Sequence, residues 1–473
     1  MAASTQLVVI GAGPGGYAAA FYAADRGMKV TLVDPEKNPG GVCVYRGCIP
    51  SKALLHVADV ISESQHAKDF GVDFAKPKID LDRLREFKNK VVGQLTSGAG
   101  QVRNLRKIAH IQGMASFRDN RTLDIDKVDG TRETLTFEHC IIATGSVPTK
   151  IPGISIESDR LIDSTGALEL PEVPGSLLVV GGGYIGLELG TVYAALGSRV
   201  TVVEMTPGLL PGADRDLVNI LAKRVTAMCE AVWLNTKVTG MKAGKDSITV
   251  TFEGEGFTGD KAFDRVLVSI GRRPNSQVPG LDKLRVGIDK RGFIVVDDAR
   301  QTGEPGIYAI GDVAGEPMLA HKAAHEGRAA VDAIAGDKNV AFEPAAIPAV
   351  VFTDPEIAWA GLTETEAEKK GIKVAVARFP WGASGRAISL GRTDGVTKLV
   401  IDPQTERVLG VGICGPGAGE LIAEGVHAIE MGATAKDLAL TIHPHPTLSE
   451  TVMEAAEVFY GHATHVYRPK RPQ

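Results

Sequence analysis

The most distinctive pattern near the start of the chain is a largely apolar run that ends in a glycine-rich turn. Residues 5–10 predict a buried strand, and Gly-Ala-Gly-Pro-Gly-Gly follows at residues 11–16. A small-residue helix then extends to Arg26, and a second apolar strand at residues 30–33 ends on Asp34. Such glycines let the backbone and a helix N-terminus approach a pyrophosphate, and an acid about 20 residues further on accepts hydrogen bonds from a ribose. The pattern therefore predicts a dinucleotide site.

The same unit recurs 170 positions further along the chain. Residues 177–180 form the apolar run, Gly-Gly-Gly-Tyr-Ile-Gly follows at residues 181–186, and a strand at residues 200–203 ends on Glu204. The matching positions are Gly11 and Gly181, Gly13 and Gly183, Gly16 and Gly186, and Asp34 and Glu204. Two dinucleotide sites are predicted, because a repeated unit is far more specific than one glycine turn. The alternative is a pair of turns that only pack a helix onto a sheet.

Later apolar runs predict how the sheets close and where a further domain begins. Residues 141–148 and 268–274 are each a strand followed by a Gly-x-x-Pro turn, and residues 306–312 form a third return. After about Pro348 the pattern changes to strands at 350–359, 373–379, 398–401 and 408–413 and helices at 364–370 and 419–431. We therefore predict an α/β fold with two Rossmann-like dinucleotide-binding domains and a C-terminal α+β domain.

Composition narrows the class of protein. The 473 residues include 52 basic and 57 acidic side chains, which gives a net charge of −5, and 44% are hydrophobic. This balance is typical of a globular protein and offers no basic stripe for nucleic acid. No apolar run approaches the ~18 residues of a membrane span, and the N-terminus shows no basic n-region or cleavage site. Five cysteines fit a reducing compartment, so we expect a cytoplasmic protein without a membrane partner.

Two of the cysteines lie in one glycine-containing loop at residues 40–52. Cys43 and Cys48 are five positions apart, a span of about 17 Å when extended, so the segment must coil if the sulfurs are to bond. The apolar run after Pro50 predicts a helix, whose N-terminus favours thiolate. A reactive, reducible pair is the favoured interpretation. Inert core thiols and half of a zinc site are the alternatives, and the scattering of the other three cysteines disfavours zinc.

A second cluster of candidate chemistry lies near the C-terminus. His443, Pro444, His445 and Pro446 are consecutive, and Glu450 follows at the predicted start of a helix. By itself, a histidine pair flanked by prolines is compatible with a rigid surface turn. In a protein that deprotonates a dithiol, an imidazole oriented by a carboxylate is the expected general base.

Four motifs, in this order, resemble the flavin-dependent pyridine nucleotide disulfide oxidoreductases, and within them the dihydrolipoamide dehydrogenase family. They are residues 11–16, residues 41–52, residues 181–188 with Glu204, and Gly311-Asp312 followed by residues 443–450. The resemblance covers nearly the whole chain and implies a homodimer of four-part subunits. The implied parts are an FAD-binding domain with a redox-active disulfide (1–150), an NAD-binding domain (151–275), a central segment returning to the FAD domain (276–347) and an interface domain (348–473).

The resemblance also implies which residues bind the cofactors. The FAD contacts would be Gly11, Gly13, Gly16, Asp34, Lys52, Thr144, Gly145, Asp312 and Ala320. The NAD contacts would be Gly181, Gly183, Gly186 and Glu204, and the Glu204 carboxylate would repel the 2′-phosphate of NADP. Further cofactor contacts are expected from Gly113, Ser146, Gly271, Met318 and His321. No metal is expected.

The implied catalytic set is Cys43, Cys48, Lys52, Glu188, His445 and Glu450. Cys43 would meet the substrate in a Cys43–Cys48 disulfide, with Cys48 against the flavin. Lys52, paired with Glu188, would stabilise charge on reduced flavin, and His445 with Glu450 would act as acid and base in the partner chain's active site. The implied reaction is oxidation of protein-bound dihydrolipoamide by NAD+. No lipoyl-type domain precedes Gly11, so the expected partners are lipoyl domains of a 2-oxo acid dehydrogenase or glycine cleavage complex.

The chain departs from the usual family pattern at a few positions. Tyr45 and Arg46 stand where an Asn and a small apolar residue are usual, and Pro444 replaces a common alanine. Tyr184 resembles the glutathione reductase branch, so a glutathione reductase-like enzyme is one alternative and a mercuric reductase-like enzyme is another. Glu204 without a following arginine cluster disfavours the first, and the absence of a cysteine pair from residues 467–473 disfavours the second.

Overall fold

A computed structural model describes residues 3–467 except 152 and 155, so most of the segment 467–473 lies outside the described residues. The first elements are β1 (Ala3–Ile10), α1 (Pro14–Asp25), β2 (Val30–Asp34), α2 (Gly41–Arg46), α3 (Cys48–His66), α4 (Leu81–Leu105), β3 (Ala109–Asp119), β4 (Thr122–Lys127), β5 (Arg132–Ile142) and β6 (Ser146–Pro148). Strand β1 lies between β2 and β5 and is parallel to both. Strand β3 is parallel to β2 over its first residues and then continues as an antiparallel meander with β4 and β5.

The second glycine unit begins another sheet. Its elements are β7 (Leu161–Ile162), α5 (Ser164–Leu168), β8 (Ser176–Val180), α6 (Tyr184–Leu196), β9 (Arg199–Val203), α7 (Arg215–Met228), β10 (Ala231–Trp233), β11 (Thr236–Ala243), β12 (Ile248–Gly254), β13 (Gly259–Phe263), β14 (Arg265–Val268) and β15 (Arg272–Pro274). A five-stranded parallel sheet has the order β10-β9-β8-β14-β7, and β11-β12-β13 form an antiparallel sheet.

The two predicted returns meet in an unexpected way. Each places its strand beside the first strand of its own sheet, β5 beside β1 and β14 beside β8. The turns that follow, β6 and β15, then pair with each other in antiparallel register, with Ser146 opposite Pro274 and Pro148 opposite Arg272. The first sheet and the five-stranded parallel sheet are therefore joined by a short ribbon at the ends of their return strands.

The third return rejoins the first sheet, as predicted. Strand β16 (Ile307–Ala309) is parallel to β5, and helix α8 (Ala320–Ile334) follows. Helix α8 packs closely on α1, where a Cβ added to Gly15 would lie 2.9 Å from the Cβ of Ala323. Small residues at this crossing allow the two helices to approach each other closely.

The C-terminal part forms a separate sheet with helices. Its elements are β17 (Ala349–Val351), β18 (Ile357–Gly361), α9 (Glu364–Lys370), β19 (Ala375–Pro380), α10 (Gly385–Ser389), β20 (Val396–Ile401), β21 (Val408–Cys414), α11 (Ala418–Glu430), α12 (Ala435–Leu440) and α13 (Glu450–Tyr460). The sheet order is β17-β18-β21-β20-β19, and every pairing is antiparallel. Its core includes the buried Trp381, Phe379 and Ile413. The α/β fold class with an added α+β unit is confirmed.

Some sequence expectations need correction. The apolar run at 350–359 is two short strands, β17 and β18, because Pro355 lies between them and has no backbone N–H for the ladder. Helix α3 begins at Cys48, two residues before Pro50, which places a cysteine at the first helical position. No helix within the described residues is long and apolar enough to cross a membrane.

Candidate active site

The first glycine turn has three distinct roles. Gly11 has φ +99°, and a Cβ there would lie 2.3 Å from the carbonyl oxygen of Ala143, so only glycine fits. A Cβ at Gly16 would lie 1.9 Å from the carbonyl oxygen of Gly11, so the helix can pack only without one. Gly13 caps α1 and has no atom within 4 Å of its added Cβ. The turn therefore presents open space at a helix N-terminus, which suits a pyrophosphate.

The second glycine turn has the same geometry. Gly181 has φ +108°, and its Cβ would lie 2.6 Å from the carbonyl oxygen of Ser269. A Cβ at Gly186 would lie 2.4 Å from the carbonyl oxygen of Gly181, while Gly183 again faces open space at the N-terminus of α6. The two turns thus share both their spacing and the structural reason for each glycine.

The acids at the strand ends hold these turns in place. Asp34 Oδ2 accepts a 2.7 Å hydrogen bond from the N–H of Ala12, and Oδ1 accepts one of 2.8 Å from Glu36. Glu204 Oε2 accepts a 2.7 Å bond from Gly182, and Oε1 accepts one of 2.8 Å from Thr206. Each carboxylate oxygen keeps a lone pair for another donor. The acids can therefore both position the turn and accept a ribose hydroxyl.

A single large cavity gathers most of the expected cofactor and redox residues. It is lined by Gly11, Gly13, Gly16, Asp34, Cys43, Cys48, Lys52, Gly113, Thr144, Gly145, Ser146, Glu188, Asp312, Met318 and Ala320. These residues come from both sides of the β6–β15 ribbon, since the start of α6 also forms part of the wall through Tyr184 and Glu188. The cavity begins at the glycine turn and includes both cysteines, so it suits one dinucleotide whose reactive end meets the thiols.

The redox loop spans the short helix α2 and the start of the 19-residue helix α3. Cys43 lies in α2 and Cys48 begins α3, with Gly47 between the helices. A Cβ at Gly47 would lie 2.9 Å from the carbonyl oxygen of Val42, so this tight joint requires glycine. The side chains of Cys43 and Cys48 are in hydrogen-bonding contact, and the disulfide between them stays a prediction.

The two thiols have unequal acidities. The hydrogen bond with Cys43, followed by the charge of Lys52, outweighs burial and lowers the pKa of Cys48 to about 7. The same hydrogen bond and burial raise the pKa of Cys43. The position of Cys48 at a helix N-terminus also favours thiolate. Of the two thiols, Cys48, on the cavity wall, is therefore the one that ionises more readily.

Lys52 and Glu188 form the ion pair that the resemblance implied. The Nζ of Lys52 lies 2.8 Å from Oε2 of Glu188, whose side chain is only 4% exposed. The other oxygen of Glu188 accepts a 3.0 Å hydrogen bond from the N–H of Phe352. One carboxylate thus joins the redox helix α3, helix α6 and the start of the C-terminal sheet.

Several lining residues were not singled out from the sequence. Arg272 Nε donates to Ser146 Oγ at 2.7 Å, and Ser146 Oγ donates to Asp312 Oδ2 at 2.6 Å. Thr144 Oγ1 donates to the carbonyl oxygen of Asn275 at 2.7 Å. Both Arg272 and Asn275 lie at the second Gly-x-x-Pro turn, so its resemblance to the first turn was the signal that pointed to them.

Cys43 also lines a second cavity next to the first. Its wall is mainly apolar and includes Tyr17, Ile49, Leu95 and His321. His321 lies here and not in the large cavity, and its Nε2 contacts the carbonyl oxygen of Pro348 at 2.8 Å. Cys43 is therefore placed between the two cavities and can be reached from either side.

The C-terminal histidine has the expected carboxylate and does not line the cysteine cavities of its own chain. His445 Nδ1 lies 2.9 Å from Oε1 of Glu450, and Glu450 Oε2 accepts a 2.7 Å bond from the N–H of Thr447. The side chain of His445 is 70% exposed and lines neither cavity that contains Cys43. By contrast, the neighbouring His443 is fixed by Glu424 and by the carbonyl oxygen of Thr441.

The residues expected to bind the second dinucleotide lie outside the large cavity. The expected NAD contacts Gly181, Gly183, Gly186 and Glu204 are absent from its wall, and so is Gly271, which was expected to contact a cofactor. Gly271 has φ +108°. Like Gly183, it has no atom within 4 Å of an added Cβ. Tyr184, at the start of α6, is 40% exposed and lines the large cavity. The second turn therefore opens on a different face and approaches the first cavity at Tyr184.

Comparison with known proteins places this geometry in a family. Residues 5–327 match the family model for pyridine nucleotide-disulphide oxidoreductases, and residues 347–456 match the dimerisation domain of the same family. The chain belongs to the pyridine nucleotide-disulphide oxidoreductases. Within that family, it is 50% identical over 460 residues to a dihydrolipoyl dehydrogenase of Haemophilus influenzae, covering 97% of this chain and 96% of the relative.

More distant dihydrolipoyl dehydrogenases show the same extent of similarity. That of Geobacillus stearothermophilus is 45% identical, with 98% of each chain covered. Among solved structures, LpdA from Mycobacterium tuberculosis superposes with a TM-score of 0.89 at 26% identity, covering 96% of this chain and 99% of that one. As a pyridine nucleotide-disulphide oxidoreductase of the dihydrolipoyl dehydrogenase group, the chain uses FAD and NAD, and its dimerisation domain makes it a homodimer subunit.

Proposed function

We propose that the chain oxidises the dithiol of protein-bound dihydrolipoamide to the disulfide and reduces NAD+ to NADH. The observation that supports this most is the position of Cys43 between the two cavities, in contact with the more acidic thiol of Cys48. A substrate can reach Cys43 from the second cavity while Cys48 faces the cavity expected to hold FAD. Bound FAD would supply the two-electron transfer between the cysteine pair and NAD+.

In the proposed chemistry the oxidised form contains a Cys43–Cys48 disulfide. One substrate thiolate attacks the sulfur of Cys43, the disulfide breaks, and Cys48 leaves as a thiolate. The lowered pKa of Cys48 makes it the better leaving group. The second substrate thiolate then attacks the substrate sulfur of the mixed disulfide and releases Cys43. Two electrons pass from the substrate dithiol to the cysteine pair, and no other reductant is needed.

Deprotonation of the substrate requires a base, which we assign to His445 of the partner subunit. Glu450 contacts Nδ1 of His445, which leaves Nε2 to take the proton. The exposed His445 lies outside the chain's own thiol cavities, which fits a residue that completes the site of a second copy. Lys52, held by Glu188, would keep positive charge beside the large cavity.

We further propose the roles of the remaining parts. Residues 1–150 bind FAD, residues 151–275 bind NAD, residues 276–347 return to the FAD unit, and residues 348–473 form the subunit interface. The Glu204 carboxylate, bound by the N–H groups of Gly182 and Thr206, supports NAD over NADP because a 2′-phosphate would face a fixed negative charge. Lipoyl domains of a 2-oxo acid dehydrogenase or glycine cleavage complex are the proposed partners, and the cytoplasm the proposed compartment.

The first test compares substrates. The purified protein should form NADH with dihydrolipoamide and should not oxidise NADPH with oxidised glutathione. The Cys48→Ser variant should lose the activity, whereas Cys229→Ser should keep it, because Cys229 lies at the end of α7, outside both cavities. Activity with glutathione and NADPH, but not with dihydrolipoamide, would instead support the glutathione reductase-like alternative suggested by Tyr184.

Subunit mixing tests the shared site. Neither the Cys48→Ser nor the His445→Gln homodimer should turn over at the parental rate. After dissociation and reassociation of an equal mixture, half the dimers contain one subunit of each kind. Such a dimer has one site with both intact residues if the site is shared, so activity should recover to about one quarter of the parent. No recovery would show that each His445 serves its own chain.

A further inference from the structure

The segment Glu36–Arg46, here called the strap, crosses the first glycine turn. The N–H of Gly40 donates to the carbonyl oxygen of Ala12 at 2.8 Å, in the middle of that turn. A Cβ at Gly41 would lie 2.4 Å from the Cα of Gly13, so the two backbones are in direct contact. The strap therefore lies directly over the position expected for the pyrophosphate of FAD.

The two ends of the strap are joined by an ion pair. The guanidinium of Arg46 bonds to Oε1 of Glu36, and both side chains line the large cavity. The N–H of Glu36 is itself bound by Asp34, the acid at the end of β2. The ion pair thus closes the strap into a loop. Its Glu36 end is bound to Asp34 in the dinucleotide site, and its Arg46 end lies between Cys43 and Cys48 in the chain.

Tyr45 adds a second link across the same loop. Its hydroxyl donates to the carbonyl oxygen of Asn38 at 3.1 Å, and the guanidinium carbon of Arg46 lies 5.7 Å from the centre of its ring. Tyr45 and Arg46 are the two positions of the redox loop at which this chain departs from the usual family pattern. Both unusual side chains therefore contribute to closing the strap.

We propose that the ion pair between Arg46 and Glu36 is a latch that slows the release of FAD from this subunit. FAD in the cavity lies against a strap that cannot lift while its ends are joined. The side chains of Arg46 and Glu36 are 39% and 26% exposed, so solvent screens the pair only in part. Arg46 acts here as a positioning residue for the strap, and its contribution requires Glu36.

FAD release from the holoenzyme, followed by the rise of flavin fluorescence in a fixed sub-denaturing concentration of uncharged urea, tests the latch. Arg46→Gln and Glu36→Gln should each speed release about five-fold, equivalent to about 1 kcal/mol. The double variant should release FAD no faster than either single variant, because the two residues act as one interaction. The exchanged pair Glu36→Arg with Arg46→Glu should restore slow release.

A matched control and salt dependence separate the latch from general loosening. Arg106 and Asp25 form an ion pair of similar exposure, 33% and 51%, that joins α4 to α1 away from the cavity. The Arg106→Gln and Asp25→Asn double variant should release FAD at the parental rate. Rising ionic strength should speed release from the parent more than from Arg46→Gln, because salt screens the pair.

The outcome can overturn the latch without affecting the proposed function. If Arg46→Gln releases FAD at the parental rate, there is no latch. If Arg46→Gln speeds release but Glu36→Gln slows it, Arg46 acts directly on the cofactor phosphates and the pair is not the cause. The latch rests on the proposed function, because it requires FAD in this cavity. A parent protein that purifies without flavin would overturn the proposed function. A flavin-containing parent that releases FAD at the same rate as the Arg46 and Glu36 variants would overturn only the latch.

Discussion

Removing the charge of Glu326 should destabilise the FAD-binding unit far more than removing a surface charge does. Glu326 lies in α8 with no exposed side-chain surface. Its Oε2 accepts a 2.7 Å hydrogen bond from the N–H of Gly311, and its Oε1 lies 3.1 Å from Arg300 and 2.9 Å from Lys322. Gly311 precedes Asp312, so this carboxylate fixes the loop that carries a cavity-lining acid.

The size of the effect follows from the burial of the partners. Arg300 and Lys322 are 14% and 5% exposed, so Glu326→Gln leaves two cations with little access to water and no carboxylate between them. Breaking a buried pair by removing one partner costs about 3–5 kcal/mol. Glutamine keeps an oxygen for the N–H of Gly311, so the loss reports the missing charge rather than a missing hydrogen bond.

Urea unfolding followed by circular dichroism measures this loss, and flavin fluorescence measures the loosening of the cofactor site. Glu316→Gln is the matched control, because the pair of Glu316 with Arg291 has the same chemistry but is 57% and 62% exposed. The control should lose at most about 1 kcal/mol. If Glu326→Gln loses no more free energy of unfolding than Glu316→Gln, the reasoning from buried, unpaired cations is wrong.

Three further predictions follow from the geometry of the site and its surroundings. The rate of alkylation of Cys48 in the reduced protein should rise with pH, with a midpoint near pH 7. The hydrogen bond from Cys43 lowers the pKa of Cys48 most and the Lys52 charge lowers it further, so Lys52→Met should move the midpoint upward. An unchanged midpoint would contradict this. Gly16→Ala should unfold the FAD-binding unit, because the new Cβ would lie 1.9 Å from the carbonyl oxygen of Gly11. Gly13→Ala should keep the melting temperature of the apoprotein and weaken only FAD binding, because its Cβ would meet no atom within 4 Å. Equal melting temperatures of the two variants would refute this difference. Lys398→Met should lose about 3–5 kcal/mol at pH 7, because Nζ of this buried lysine lies within 2.8 Å of three carboxylates. Burial acts to raise the pKa of Asp214, but the hydrogen bond from Lys398 and those from backbone N–H groups lower it on balance. The stabilisation from this pair is therefore present above about pH 4 and is lost as the pH falls below it. If the loss of unfolding free energy in Lys398→Met stays constant through this range in urea titrations, the ion pair is not its cause.

The sequence alone was sufficient for the parts of the site that depend on local backbone geometry. Gly11, Gly13 and Gly16 are required by contacts within one turn and its adjoining strands, and their fixed spacing survives in both units. The pairing of Cys43 with Cys48 and of His445 with Glu450 is also local, because each pair is five residues apart. Short separations leave few conformations to consider, so pattern and chemistry together predicted these neighbours.

Only the tertiary structure decided which distant residues meet. The β6–β15 ribbon brings Arg272 to Ser146, although 126 positions separate them in the chain. Glu326 reaches the Gly311 loop from helix α8, and Cys43 meets two cavities because helices α1, α2, α3 and α8, distant in the chain, come together around it. These contacts arise from the burial of whole helix and sheet faces, which is non-directional and leaves no signature at single positions. The local pattern therefore determined the chemistry that the chain carries, and packing determined where that chemistry is assembled.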